Sequence, residues 1–172
     1  MAVGSYDKKV RIINHISWRQ LKELDHDPNI NSGEAHIYFE EECTEDRRIT
    51  SNYGMKDMPV KLTEMPQPSA SPNPPIGVSL AIWSHDSKYL ATRSDSIPNV
   101  LWIWDMTSME LAVVLVQFEP ITSAAWSPMT THIAFSTGTE RIYIWSNEGA
   151  SICDVPVDAR RGFGVQKVRW NE

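Results

Sequence analysis

A Trp at the end of an alternating apolar segment returns at a fixed interval, and that interval constrains this chain more than any other feature. Trp83 closes VSLAIWS, Trp126 closes ITSAAWSP and Trp170 closes VQKVRW, at steps of 43 and 44 residues. A second register runs beside it. VLWIWD (Val100 to Asp105) is nearly copied by RIYIWS (Arg141 to Ser146), placing Trp104 and Trp145 41 residues apart, and a weaker copy, VRIIN, stands at Val10 to Asn14. Alternation of apolar and polar residues is the signal of strands with one face buried. A period of this length makes each repeat one small antiparallel sheet that buries its faces only by stacking on the next.

Turn-forming residues divide each repeat into four strands. Residues 77–118 read as VSLAIWS, YLATRSD, VLWIWD and LAVVLVQF, separated by His85-Asp86-Ser87-Lys88, Ser96-Ile97-Pro98-Asn99 and the stretch from Met106. Residues 119–157 repeat the scheme with ITSAAWSP, HIAFSTG, RIYIWS and SICDVPV, and residues 158–172 begin a further unit with VQKVRW. Residues 1–26 supply three strands (Ala2 to Ser5, Val10 to Asn14, Trp18 to Leu24). The Trp104-Asp105 ending resembles the strand signature of WD repeats. The expected fold class is therefore all-β: a WD-repeat β-propeller, partial, with about three blades plus a strand. Propellers typically close with four to eight blades, and an open stack leaves bare edges, so the chain reads as truncated at both ends.

Residues 27–76 break the period. Asp27, Glu34, Glu40, Glu41, Glu42, Glu45, Asp46, Asp57 and Glu64 stand against Arg47, Arg48, Lys56 and Lys61, and prolines crowd the stretch from Pro59 to Pro75. This is an acidic, Pro-rich spacer, with short strands expected at His36 to Phe39 and Pro59 to Leu62, a solvated loop at EEECTEDRR and an extended linker at MPQPSASPNPP. Ser71-Pro72 is a candidate phosphorylation step, with an ordinary linker serine as the favoured reading.

The chain's net charge of −6 argues against nucleic acid or an anionic membrane as its main partner, since both reward clustered Lys and Arg. No apolar run approaches the roughly 18–20 residues of a spanning helix, and MAVGSYDKKV lacks a signal-peptide core. Cys43 and Cys153 show no metal-ligand spacing, which fits reduced thiols in a cytosolic protein. A phosphate loop, dinucleotide fingerprint, nucleophile elbow and paired metal-ligand motifs are missing from the sequence, so neither catalysis nor a cofactor, metal or small-molecule substrate is expected. Gly162-Phe163-Gly164 after Arg160-Arg161 reads as a connection needing positive φ.

The residues singled out are therefore structural or interfacial. Asp7, in the turn before VRIIN, is expected to brace that turn by accepting backbone N–H bonds. Trp83, Trp104, Asp105, Trp126, Trp145 and Trp170 mark the repeat. His26, after Leu24-Asp25, resembles the Gly-His junction between repeats and is expected to be buried and hydrogen-bonded. Trp102 points opposite to Ile103, with packing between blades favoured over a solvent-side contact. Binding faces of propellers gather the inter-strand loops, which here nominates Lys8, Lys9, Arg93, Asp95, Asn99 and Glu140 as a protein-contact face.

Longer phrases are more distinctive. AVGSYDKKVRIINHISW, LATRSDSIPNVLWIWD and RIYIWS, with the spacer ending NPPIGVSLAIWS, resemble the C-terminal part of the WD repeat-containing protein eight family. That resemblance implies a non-catalytic scaffold in the cytoplasm and cytoskeleton, at centrosomes, centriolar satellites or spindle poles. It further implies a coiled-coil centrosomal adaptor and a minus-end-directed kinesin as partners, and roles in microtubule minus-end anchoring and in spindle and cilium assembly. Competing readings are a substrate adaptor of a cullin-type ubiquitin ligase, a generic peptide-binding propeller and an enzyme built on a propeller. The ligase adaptors often carry Trp-Asp-x-Arg, whereas Trp104-Asp105 is followed here by Met106-Thr107. An enzyme would need His or carboxylates converging on a central channel.

Overall fold

A computed structural model describes residues 1–45, 48–66, 76–156 and 162–171. The Ser71-Pro72 and Arg160-Arg161 steps lie outside the described residues. Fifteen strands occur among the described residues, and no helix. In chain order they are β1 (Ala2–Gly4), β2 (Lys9–Ile13), β3 (Gln20–Asp25), β4 (Asn29–Ile30), β5 (His36–Glu45), β6 (Arg48–Lys56), β7 (Val60–Lys61), β8 (Val78–Trp83), β9 (Tyr89–Ser94), β10 (Val100–Asp105), β11 (Glu110–Val116), β12 (Ser123–Trp126), β13 (His132–Ser136), β14 (Arg141–Ser146) and β15 (Gly149–Asp154).

Three sheets form the stack. The first has the order β1-β2-β3 and the third β12-β13-β14-β15. The middle sheet has six strands in the order β6-β5-β11-β10-β9-β8. One apolar core lies between the first and middle sheets, joining Val10, Ile12 and Leu24 to Leu90, Val100, Trp102, Trp104 and Val114. The other lies between the middle and third sheets, joining Leu101, Ile103, Val113 and Leu115 to Ile133, Phe135, Tyr143 and Trp145. Successive side chains of a strand face opposite ways, so β10 supplies Val100, Trp102 and Trp104 to one core and Leu101 and Ile103 to the other. VLWIWD is apolar almost throughout because it is buried on both faces.

A recurring Trp bond ties the sheets at their inner edge. The Trp126 indole N–H donates to the Ile82 carbonyl at 3.0 Å. One repeat later Trp170 donates to the Ala125 carbonyl at 2.8 Å. The acceptor each time is the residue before the preceding repeat Trp, so a period near 43 residues carries the same bond from blade to blade. The expected strand VQKVRW is not paired in a sheet. It is held instead by this indole bond and by Val165 and Val168 N–H groups donating to the Thr139 carbonyl and Ser123 hydroxyl at 2.8 and 3.2 Å.

Other expectations need correction. The acidic run expected as a solvated loop continues β5 through Glu40 to Glu45, and β6 returns beside it from Arg48. The β5–β6 hairpin joins the outer edge of the blade, Val113 to Val116 pairing in parallel with His36 to Phe39. The reason is the apolar edge that Ile37, Tyr38 and Phe39 add to both cores. Trp18 stands in the β2–β3 turn rather than in a strand. Gly164 has no positive φ; it is required because a Cβ there would collide with the Gly138 carbonyl.

Candidate functional site

The loops nominated as a contact face are held mostly by bonds within the chain. Lys8, in the β1–β2 turn, reaches Glu64 at 2.7 Å. Lys9 pairs with Glu23 and Asp25 of β3 at 3.1 and 3.6 Å. Arg93 and Asp95 are brought together at 3.2 Å, both bound to the Ser79 hydroxyl. The other terminal nitrogen of the Arg93 guanidinium, Nη1, donates to the Ile121 carbonyl and so links the middle sheet to the next blade. Asn99 donates to the Gln117 carbonyl at 2.8 Å across the start of β10 and end of β11. The Glu140 side chain is exposed, while its carbonyl accepts the Val155 N–H at 2.8 Å.

Asp7 accepts the Lys9 N–H at 3.3 Å and pairs with Arg11 at 2.5 Å. The Arg11 bond is the main cause that holds its carboxyl well below the usual carboxylate range. Asp105 performs a related task in the middle sheet, accepting the Thr107 N–H at 2.7 Å. Trp83 is half-buried against the first core. Trp145 sits edge-on to Tyr89 and Trp126, with ring centroids 5.4 and 6.1 Å away.

A polar relay crosses the first core. The His26 Nδ1–H donates to the Lys8 carbonyl at 2.8 Å, because a carbonyl only accepts. Its Nε2 is therefore the acceptor for the Thr92 hydroxyl, also at 2.8 Å. Thr92 in turn accepts the Trp104 indole N–H at 2.8 Å. The imidazole stands edge-on to Trp102 and Trp104, whose rings are stacked 6.2 Å apart. Burial disfavours the charged ring and lowers the His26 pKa below its ordinary value. Trp102 is buried in this core, not at a solvent face.

A second cluster is absent from the sequence reading. Glu40, on the inserted hairpin, turns a buried carboxylate toward the third sheet. It accepts from Arg141 at 3.0 Å, from the Tyr143 hydroxyl at 3.1 Å and from the Phe118 N–H at 3.0 Å. Burial raises the Tyr143 pKa, and the Glu40 charge adds to that rise. Tyr53 of β6 lies 6.3 Å from the Tyr143 ring. Its hydroxyl meets the Gln117 amide oxygen at 2.5 Å. The insertion thus wedges between two blades instead of hanging from them.

No group of three or more His, Cys, Asp or Glu suited to a metal ion occurs among the described residues. A concavity of about 470 Å³ opens between residues 32–36 and the β10–β11 turn and is lined by Glu34, His36, Asp105 and Glu110 among others. Asp105 and Glu110 face each other across the β10–β11 turn, but the Asp105 carboxylate is already used as a turn cap and the Glu110 carboxylate pairs with Lys22 at 2.9 Å.

Stacked antiparallel blades, a Trp bond repeated at the blade period and a buried His–Thr–Trp relay define a partial WD-repeat β-propeller. WD-repeat proteins as a class are non-catalytic scaffolds that bind other proteins. Over 99% of its length the chain is similar to WD repeat-containing protein WRAP73 of Mus musculus, at 33% identity, and spans 40% of that protein. An uncharacterized WD repeat-containing protein of Schizosaccharomyces pombe is 28% identical over 80% of the chain, which spans 29% of it. The chain therefore covers well under half the length of these relatives. The crystal structure of RRP9 WD40 repeats has the same fold, with a TM-score of 0.51 at 13% identity over 87% of this chain and 33% of that one. No protein-family model matches.

Proposed function

We propose that this chain is part of a WD-repeat scaffold acting at the centrosome or spindle pole, where it helps anchor microtubule minus ends and supports spindle and cilium assembly. The observation that carries the reading is the similarity to a WD repeat-containing protein along 99% of the chain, together with the phrases AVGSYDKKVRIINHISW and LATRSDSIPNVLWIWD. The partners are a coiled-coil centrosomal adaptor and a minus-end-directed kinesin. The contribution of this part is shape: blades locked by buried polar bonds and loops held rigid by internal pairs, which bind without large reorganisation.

Affinity capture of the full-length protein from dividing cells is expected to recover the coiled-coil adaptor, and a fluorescent fusion to concentrate at spindle poles. Recovery of cullin-ligase subunits without the adaptor would replace this reading by the ligase one, which the Met106-Thr107 sequence after Trp104-Asp105 disfavours.

A further inference from the structure

β6 ends the middle sheet and is the longest edge strand among the described residues, nine residues from Arg48 to Lys56. Its ladder is made with β5 alone. Among the described residues, the N–H and C=O groups that alternate along its other side have no backbone partner. Long edges are ordinarily blunted by charge or proline, which stops another strand from adding. β3 follows that rule, with Lys22, Glu23 and Asp25 in six residues. β6 does not: Ile49 to Met55, ITSNYGM, holds neither a charge nor a proline.

The side chains of this edge are arranged symmetrically about its middle. Alternation puts Ile49, Ser51, Tyr53 and Met55 on one face, the face whose Tyr53 lies against Tyr143 of the third sheet. That contact leaves both ends of the face bare, with Ile49 58% and Met55 63% exposed. Each stands three residues from Asn52, the centre of the uncharged run. A two-fold axis through Asn52, normal to the sheet, sets a second β6 antiparallel to the first. Ile49 then lies opposite Met55 at both ends, Thr50 opposite Gly54 and Ser51 opposite Tyr53. Opposite residues are an even number of positions apart, so both members of a pair turn their N–H and C=O groups toward the other strand or both away, as an antiparallel ladder requires. Arg48 comes opposite Lys56 of the other copy, in a row to which β5 contributes Glu45. A shift of register to either side would set uncharged residues of the run against charged ones.

We propose that β6 is a self-association edge, to which a second copy of this chain adds its own β6 so that the two middle sheets become one across a two-fold axis. A bare ladder takes an extended strand, and the strand that matches this one in length, in the span of its uncharged run and in the placing of its two exposed apolar residues is β6 itself. The contact is isologous: the backbone bonds hold it, and the two Ile49–Met55 pairs fix its register. The inference goes beyond the scaffold reading and does not rest on the adaptor, the kinesin or the place in the cell.

Sedimentation equilibrium of the full chain tests this. The unmutated chain is expected to dimerise, and Ile49→Lys and Met55→Glu each to weaken the dimer about tenfold, since either change breaks the apolar pair at both ends. Both side chains are exposed, so the thermal midpoint of each variant, measured at a concentration where the chain is monomeric, is expected to stay unchanged. An equimolar mixture of the two variants is expected to recover the association. There the introduced ammonium and carboxylate meet at one end, and the native Ile49–Met55 pair is kept at the other. A chain that stays monomeric overturns the proposal and gives the edge to a strand of another protein. A dimer that both variants leave equally tight overturns it by placing the contact on another surface. A lowered midpoint in either variant, or a mixture that associates no better than its separate components, overturns it as well. None of these readouts depends on what the affinity capture recovers.

Discussion

The middle and third sheets share a strand pattern but are locked by different chemistry. In the middle sheet Trp102 lies opposite Thr92, and in the third sheet Tyr143 lies opposite Phe135. Thr92 gives its blade a hydroxyl that both donates and accepts, so His26 and Trp104 satisfy one another through it. Phe135 offers no polar atom, and it stacks on Tyr143 with centroids 5.2 Å apart. The Tyr143 hydroxyl that this arrangement strands in the core finds its acceptor in Glu40, a residue 103 positions away. One blade is closed by Trp104 of its own repeat and by His26 from the end of the unit before it, and the other borrows a carboxylate from the insertion that precedes the middle repeat. Equivalent positions in a repeat protein thus keep backbone geometry while His26, Trp104 and Tyr143 find polar partners wherever the chain brings them; the Trp102 indole N–H, buried beside that relay, has none.

The largest expected effect follows from the borrowed carboxylate. Glu40→Ala removes the acceptor of Arg141, Tyr143 and the Phe118 N–H together. Burial works against the Arg141 charge, and Glu40, Tyr143 and Asp154 together outweigh it, so removing Glu40 leaves a half-buried cation with only the longer Asp154 contact, at 3.5 Å. Breaking one side of such a pair costs about 3–5 kcal/mol, read as a fall in the urea-unfolding free energy. Adding Tyr143→Phe should cost less in the Glu40→Ala background than alone, because the two groups share one bond. Strict additivity would mean that the hairpin is not coupled to the third sheet.

That coupling was the least legible part of the sequence, whereas the repeat was the most. Trp126 and Trp170 announce their register because each makes one indole bond that recurs at one period, and Trp83 marks the same register one step earlier. His26 was readable from its place at the end of a repeat. Thr92 was not, since a threonine inside a strand is ordinary and its role appears only when Trp104 and His26 arrive from distant segments. Glu40 was hidden further: in Glu40-Glu41-Glu42 nothing local marks which carboxylate turns inward, and the run reads as solvated. The parity of the strand decides it, with Tyr38, Glu40 and Glu42 sharing one face, and that parity is visible only once the run is known to be a strand. The internal pairing of the nominated contact residues was hidden for the opposite reason. Lys8, Lys9, Arg93 and Asp95 look like free surface charge in sequence, but their partners Glu64, Glu23, Asp25 and Ser79 come from other strands and loops.

An intermediate effect is expected where the relay is cut in place. Thr92→Val keeps the shape of the side chain but deletes its hydroxyl, leaving the Trp104 N–H and His26 Nε2 buried without partners. An unmade buried bond of this kind costs about 1–3 kcal/mol. Thr92→Ser restores the hydroxyl and should recover most of the loss. The blade comparison sharpens this further, because the third sheet has Phe135 at the same position and should be indifferent to loss of the relay. Hydrogen exchange is expected to accelerate in β9 and β10 of Thr92→Val and to stay unchanged in β13 and β14.

The smallest effect is one of pH. His26 has a folded-state pKa below its ordinary value near 6.5, chiefly through burial, with the Lys8 carbonyl and Asp25 pulling weakly the other way. The unfolded chain therefore binds a proton that the folded chain resists, and acidification favours unfolding. The His26 contribution is fully present above about 6.5, and it is lost progressively as the pH falls from there through the lower folded value. Asp7 acts in a separate window: its folded pKa lies below 3.8, so its contribution fades only as the pH falls past that point. His26→Gln is expected to lower stability at pH 7.5 and to flatten the decline between pH 6.5 and 5, leaving the loss below pH 4 in place. The corresponding lock of the third sheet holds no imidazole, because Phe135 and Tyr143 stack there. A decline between pH 6.5 and 5 that persists in His26→Gln would show that the relay is not what senses the proton.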